Sequence, residues 1–90
     1  LSMGSKAGNF EVYPNPFTNN FTATFSADKA NVADLKIANM NGQIVYKAKI
    51  NVTKGSNAVQ MRNIPSIPSG LYYITIQNDD LEYRTKVQKL

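Results

Sequence analysis

Apolar and polar residues alternate along most of this chain with the two-residue period of a half-buried β-strand. In residues 21–27, Phe21, Ala23 and Phe25 fall on one face and Thr22, Thr24 and Ser26 on the other. Upstream, residues 10–13 alternate more briefly and predict a short first strand at a sheet edge. Further on, Leu35 and Ile37 face inward and Lys36 outward in a third strand. Asn41-Gly42 follows, and Asn-Gly between two alternating runs signals a type I′ hairpin, so strands three and four are expected to be antiparallel neighbours. The fourth strand is predicted to set Ile44, Tyr46, Ala48 and Ile50 inward, with Val45, Lys47 and Lys49 outward. A polar turn over residues 53–57 precedes a short fifth strand with Val59 and Met61. The β-branched and aromatic run of residues 71–76 favours a sixth strand. Residues 78–80 turn the chain, and Tyr83, Thr85 and Val87 then alternate with Arg84, Lys86 and Gln88 in a last strand.

Two stretches interrupt the alternation. Proline fixes φ and lacks a backbone donor, so Tyr13-Pro14-Asn15-Pro16-Phe17 can be neither helix nor central strand. It is expected to be a stiff turn with Tyr13 and Phe17 pinned into the apolar interior at its two ends. The Ile-Pro-Ser repeat in residues 64–69 is excluded from a sheet for the same reason and reads as a connection packing Ile64 and Ile67 onto the core. About seven short strands with frequent turn signals and no helix predict an all-β fold, an antiparallel β-sandwich of the immunoglobulin-like kind. Residues 1–9 show no periodicity and read as a linker or an expression scar outside the folded domain of residues 10–90.

Composition narrows what such a sandwich can do. With 90 residues, 42% apolar and 18% charged, the chain is one globular domain with a modest core. It contains neither cysteine nor histidine, which removes disulfides, thiol nucleophiles, and the commonest general base and metal ligand. The net charge of +4 could serve nucleic acid, anionic lipid or solubility, but the basic residues are scattered singly. No apolar stretch has the length of a membrane span or a signal-peptide core, so neither membrane insertion nor an export leader of its own is expected.

No constellation supports catalysis, and no catalytic, cofactor-binding or metal-binding residue is assigned. Asp79, Asp80 and Glu82 read as a polar hairpin turn rather than a calcium site. Lys36, Lys47, Lys49, Arg84 and Lys86 occupy outward strand positions, where a solvated face is the plain reading. Nucleic-acid binding would need clustered bases among exposed aromatics, and no nucleic-acid partner is expected. A carbohydrate-binding or spacer module of a multidomain surface protein is the alternative function, with Tyr73 as the apparent outward aromatic.

One ordered series is more specific. Tyr13-Pro14-Asn15-Pro16-Phe17, then Asn41-Gly42-Gln43-Ile44-Val45, then Gly70-Leu71-Tyr72, then Thr85-Lys86-Val87-Gln88-Lys89-Leu90 resembles the type A C-terminal sorting domain of the type IX (Por) secretion system, over residues 10–90. The resemblance implies an immunoglobulin-like sandwich that is an address and a substrate, not an enzyme, and that needs no cofactor. It implies a covalently preceding cargo domain, the type IX translocon and shuttle proteins of the outer membrane, and a sortase-like cysteine protease that removes the domain at the cell surface. It further implies transit through the periplasm to the surface or the medium of a Bacteroidota-type bacterium. The positions matching the family motifs are Pro14, Asn15 and Pro16; Asn41 and Gly42; Gly70 and Tyr72; and Lys86, Val87, Lys89 and Leu90. Among these, residues 86–90 are expected to carry recognition, with Lys86 projecting into solvent and Lys89 at an unconstrained chain end. The doubled Ile-Pro-Ser step places more residues between Met61 and Gly70 than the family pattern has.

Overall fold

The computed structural model describes residues 10–62 and 64–90; the expected linker at residues 1–9, with any cleavage point in it, lies outside the described residues. Seven strands form in chain order: β1 (Glu11–Tyr13), β2 (Phe21–Ala27), β3 (Asn31–Asn39), β4 (Ile44–Val52), β5 (Gly55–Met61), β6 (Gly70–Gln77) and β7 (Glu82–Lys89). No helix occurs among the described residues. One sheet has the order β1-β2-β5 and the other β4-β3-β6-β7, and every strand pair is antiparallel. The fold is therefore the predicted sandwich. In the constant-type immunoglobulin arrangement the fourth strand joins the sheet of the first two; here it stays beside β3, as a hairpin partner should.

Each sheet buries one face because its strands alternate. β2 is buried at every odd-numbered position from Phe21 to Ala27, and Leu35, Ile37, Ile74 and Ile76 are fully enclosed from the other sheet. Full burial of such side chains contributes about 1.5–3 kcal/mol each. Phe10, Phe25 and Tyr83 make an aromatic cluster at one end, with Phe10 and Tyr83 stacked 5.5 Å apart. Phe17 and Phe21 meet edge to face at 5.3 Å toward the other. The Tyr83 hydroxyl donates a 2.6 Å hydrogen bond to the Ser26 carbonyl, tying the two sheets together. Ile64 is buried and Ile67 half-covers the core, as expected of the proline-rich connection, which the Tyr72 hydroxyl holds through Pro68 C=O at 2.6 Å.

The β3–β4 hairpin differs from the expected type I′ turn. The Gly42 N–H donates to Asn39 C=O and the Asn39 N–H to Gln43 C=O, enclosing a three-residue loop in which Gly42 has φ +86°. The Asn39 side chain accepts from the Asn41 and Gln43 amides and fixes this loop. Beyond it the register slips, because Ile37 faces Tyr46 but Ala38 faces Ile44, leaving Val45 as the extra residue of a β-bulge. The slip reverses the predicted facing of two residues: Ile44 is 50% exposed instead of inward, and Val45 packs against the core instead of pointing out. From Tyr46 onward the predicted alternation resumes, ending with Ile50 and Val52 buried.

The first proline stretch also departs in part from expectation. Phe17 is wholly buried, but Tyr13 is 50% exposed, because Val12 is the residue of β1 that packs inward and its neighbours must then face out. Tyr13 thus joins Tyr73 as an outward aromatic. Both the Tyr13–Pro14 and Asn15–Pro16 peptide bonds are cis.

Candidate functional site

The four motif stretches, far apart in sequence, lie at one end of the sandwich. Sheet register brings them there. Tyr72 on β6 stands between Asn39 of β3 and Val87 of β7, and Gly70 stands opposite Lys89. The Asn41-Gly42 turn continues β3 past Asn39 at that same end. The Pro14-Asn15-Pro16 segment completes the group by running alongside the outer edge of β7.

This last contact closes an edge that β7 would otherwise present. The Phe17 N–H donates to Gln88 C=O and the Leu90 N–H to Phe17 C=O, both at 2.9 Å, in a parallel bridge between Phe17 and Lys89. One step before it, the Gln88 N–H donates to Asn15 Oδ1 at 3.0 Å. The side chain of Asn15 thus supplies the acceptor for the Gln88 amide, while the prolines beside it have no N–H to donate to the edge. Phe17 is the anchor of this latch, its ring wedged into the core against Phe21.

Placement of the individual residues follows from these contacts. Pro14, Asn15 and Pro16 are exposed, as are Asn41 and Gly42. Gly70 is half-buried with φ +152° and Tyr72 is only 4% exposed, so the aromatic ring of that motif serves packing. Lys86 projects into solvent as expected, whereas Val87 is buried. Lys89 is half-buried, and the expectation of an unconstrained end at Lys89 and Leu90 is corrected: the bridge to Phe17 holds the backbone on both sides. Neither lysine takes part in the salt bridges found among the described residues, Lys29–Asp80 and Lys49–Asp34. Cations beside a fixed backbone edge, Lys86 exposed and Lys89 half-buried, can meet acidic groups.

Sequence reasoning placed Phe17 in the interior but missed its backbone pairing with β7 and the part played by the Gln88 amide. A buried aromatic directly after two prolines was the available signal for the first; nothing local marks the second. Elsewhere, a depression of about 430 Å³ lies by the β6–β7 turn, lined by Asp28, Lys29, Asp80 and Tyr83 among others. Asp80 there is engaged by Lys29 and Asn31, and Asn78 caps the turn by accepting from the Asp80 and Leu81 amides. Among the described residues no three acidic side chains gather as metal ligands.

Comparison with known proteins is consistent with the motif end. The chain is 34% identical over 77 residues to the ulvan lyase NLR42 of Nonlabens ulvanivorans, a match covering 84% of this chain and 13% of that protein. It thus corresponds to a small part of that relative's length. No solved structure matches. The family described as the secretion system C-terminal sorting domain matches residues 11–89, from β1 to the last residue of β7. The chain belongs to the C-terminal sorting domains of the type IX secretion system.

Proposed function

We propose that this domain carries an attached cargo through the type IX secretion system, and that its recognised feature is the end of the sandwich where the motifs meet. The cargo precedes residue 10, and the translocon and shuttle proteins of the outer membrane take hold of the domain after periplasmic transit. A sortase-like cysteine protease then cuts in or upstream of residues 1–9, leaving the cargo at the surface or in the medium. The domain itself is not an enzyme, binds no nucleic acid and inserts in no membrane. Within the motif end, Lys86, Lys89 and Leu90 offer charge and an apolar tip, while Val87, Tyr72 and Gly70 hold the strand that displays them. Pro14, Asn15 and Pro16 keep that strand in place, and Asn41 and Gly42 shape the neighbouring hairpin.

The observation that carries this reading is the convergence itself: the Asn15–Gln88 hydrogen bond joins the first motif to the last across 73 residues of chain. Residues 10–90 fused behind a periplasmic reporter test it in a Bacteroidota bacterium with and without a working type IX system. Reporter outside the cell only when the system works is the expected result, with export lost on deletion of residues 86–90. Reporter retained in the periplasm of the competent strain would refute the reading, and glycan binding without export would favour a carbohydrate-binding module instead.

A further inference from the structure

The outer face of the four-stranded sheet is unlike that of its partner. Across β4, β3, β6 and β7 the outward positions fall into rows, one of which reads Lys47, Lys36, Thr75, Arg84. Lys36 and Lys47 stand directly opposite each other, and like charges in that arrangement destabilise a sheet. No carboxylate in the row relieves them. Lys36 reaches only the neutral amide of Gln77, at 3.5 Å, while Asp34 in the adjoining row is taken by Lys49 at 2.9 Å. That ion pair, helped by the nearby charges of Lys47 and Lys36, holds the Asp34 carboxyl below its usual range.

The row on the other side is apolar across three strands, Ile44, Ala38 and Tyr73, and ends in Lys86 on β7. Leu71, two residues from Tyr73 and on the same face, extends it, and Ile44 and Leu71 are 50% and 47% exposed. The Arg84 guanidinium lies 4.2 Å over the Tyr73 ring, joining the basic row to the apolar one. By contrast, the outer face of the three-stranded sheet shows Thr22, Thr24, Ser26 and Gln60, and no cation stands on its strands. The strand-borne bases are thus confined to the four-stranded sheet, beside Leu71, Tyr73 and the Ile44 side chain that the β4 bulge turned outward.

We propose that this face docks an acidic protein surface with an apolar centre, Lys36, Lys47 and Arg84 meeting carboxylates while Ile44, Leu71 and Tyr73 fill the contact. The proposal rests on the sorting reading, which requires a protein partner, and extends the contact from Lys86, which stands opposite Tyr73, across the sheet face to Lys36 and Lys47. Charge complementarity selects the partner: Asp34 and Glu82 in the adjoining row offset these cations only in part, and carboxylates from outside neutralise the remainder, which speeds encounter and excludes basic competitors. A bilayer fits less well. The apolar residues sit on a broad sheet, not a protruding loop, so embedding them would carry the adjoining lysines toward hydrocarbon at a cost of several kcal/mol.

The double variant Lys36→Glu, Arg84→Glu tests this in the reporter fusion: it sets an opposite charge across from Lys47, against the loss of the Arg84–Tyr73 cation–π contact. Export is expected to fall about tenfold or more, while the purified domain still unfolds in one cooperative transition. The charge-conserving Lys36→Arg, Arg84→Lys pair is expected to export normally. Export of the double charge reversal at the level of the parent would overturn the proposal. Sedimentation of the parent domain with vesicles of equal phosphatidylglycerol and phosphatidylcholine, abolished by the double reversal, would overturn it in favour of a membrane surface. Failure of the unmodified fusion to export would instead defeat the sorting reading itself, and this docking face with it.

Discussion

Asn15 supplies a side-chain hydrogen bond across the latch along β7, and replacing it isolates that contact. In Asn15→Ala the Gln88 N–H loses its 3.0 Å acceptor, while the flanking backbone bonds of Phe17 to Gln88 and Leu90 remain available. Gln88 is exposed, so its freed N–H turns to water and is not left orphaned. The loss is then the net worth of one hydrogen bond, about 0.5–1.5 kcal/mol, not a full desolvation penalty. At about 1.4 kcal/mol per tenfold, the opening equilibrium of the latch should rise roughly 2- to 12-fold. Native-state amide exchange read by NMR measures this directly, as faster exchange at Gln88 and Leu90 with little change at Ile74 in the core. Asn15→Asp keeps an acceptor, so protection should persist at neutral pH and decline as the carboxyl takes up a proton. Unchanged exchange at Gln88 in Asn15→Ala would refute the argument, as would an equal acceleration at Ile74, which would make Asn15 a contributor to global stability instead of a local clasp.

Two further substitutions test the scaffold. Tyr83→Phe removes the bond to Ser26 C=O, costing about 1 kcal/mol and lowering the melting temperature by about 4–8 °C by calorimetry. Burial, and secondarily the charge of Asp28, raises the Tyr83 pKa above its ordinary 10.0. The unfolded chain therefore releases that proton first, and stability present below about pH 10 is lost as pH rises through the folded-state value; urea midpoints should decline less on the alkaline side in Tyr83→Phe. Asn57→Ala should cost about 1–3 kcal/mol in urea unfolding. Its buried side chain accepts from the Thr53 amide and hydroxyl and donates to the Thr53 and Gly55 carbonyls at the turn between the two sheets. A shift equivalent to under about 0.5 kcal/mol would show that the turn holds without it.

The strands were legible because alternation is a local property. Phe21 to Ala27 and Tyr72 to Ile76 reveal their inward faces by composition alone, and the solvent-facing Lys86 follows from Val87 beside it. Ile44 and Val45 were misplaced because a bulge inserts one residue into the count, and neither residue type signals it. Asn-Gly correctly marked a turn, but the asparagine before it, Asn39, decides the loop through hydrogen bonds to Asn41 and Gln43. The motif end was legible only as separate pieces. That Gly70 lies opposite Lys89, and Asn15 beside Gln88, depends on sheet order and on a side-chain acceptor seventy-three positions away, and no periodicity encodes either.

The latch also orders events in time. Its two halves, Asn15 with Phe17 and Gln88 with Leu90, can meet only after the chain through β7 has been synthesised, and β7 reaches its place through β6 and β6 through β3. Loop closure over so long a separation is slow compared with local hairpin formation. A nascent or partly unfolded chain therefore shows the individual motif sequences without their assembled surface, and a receptor that reads the assembled surface inspects folding and address in one step.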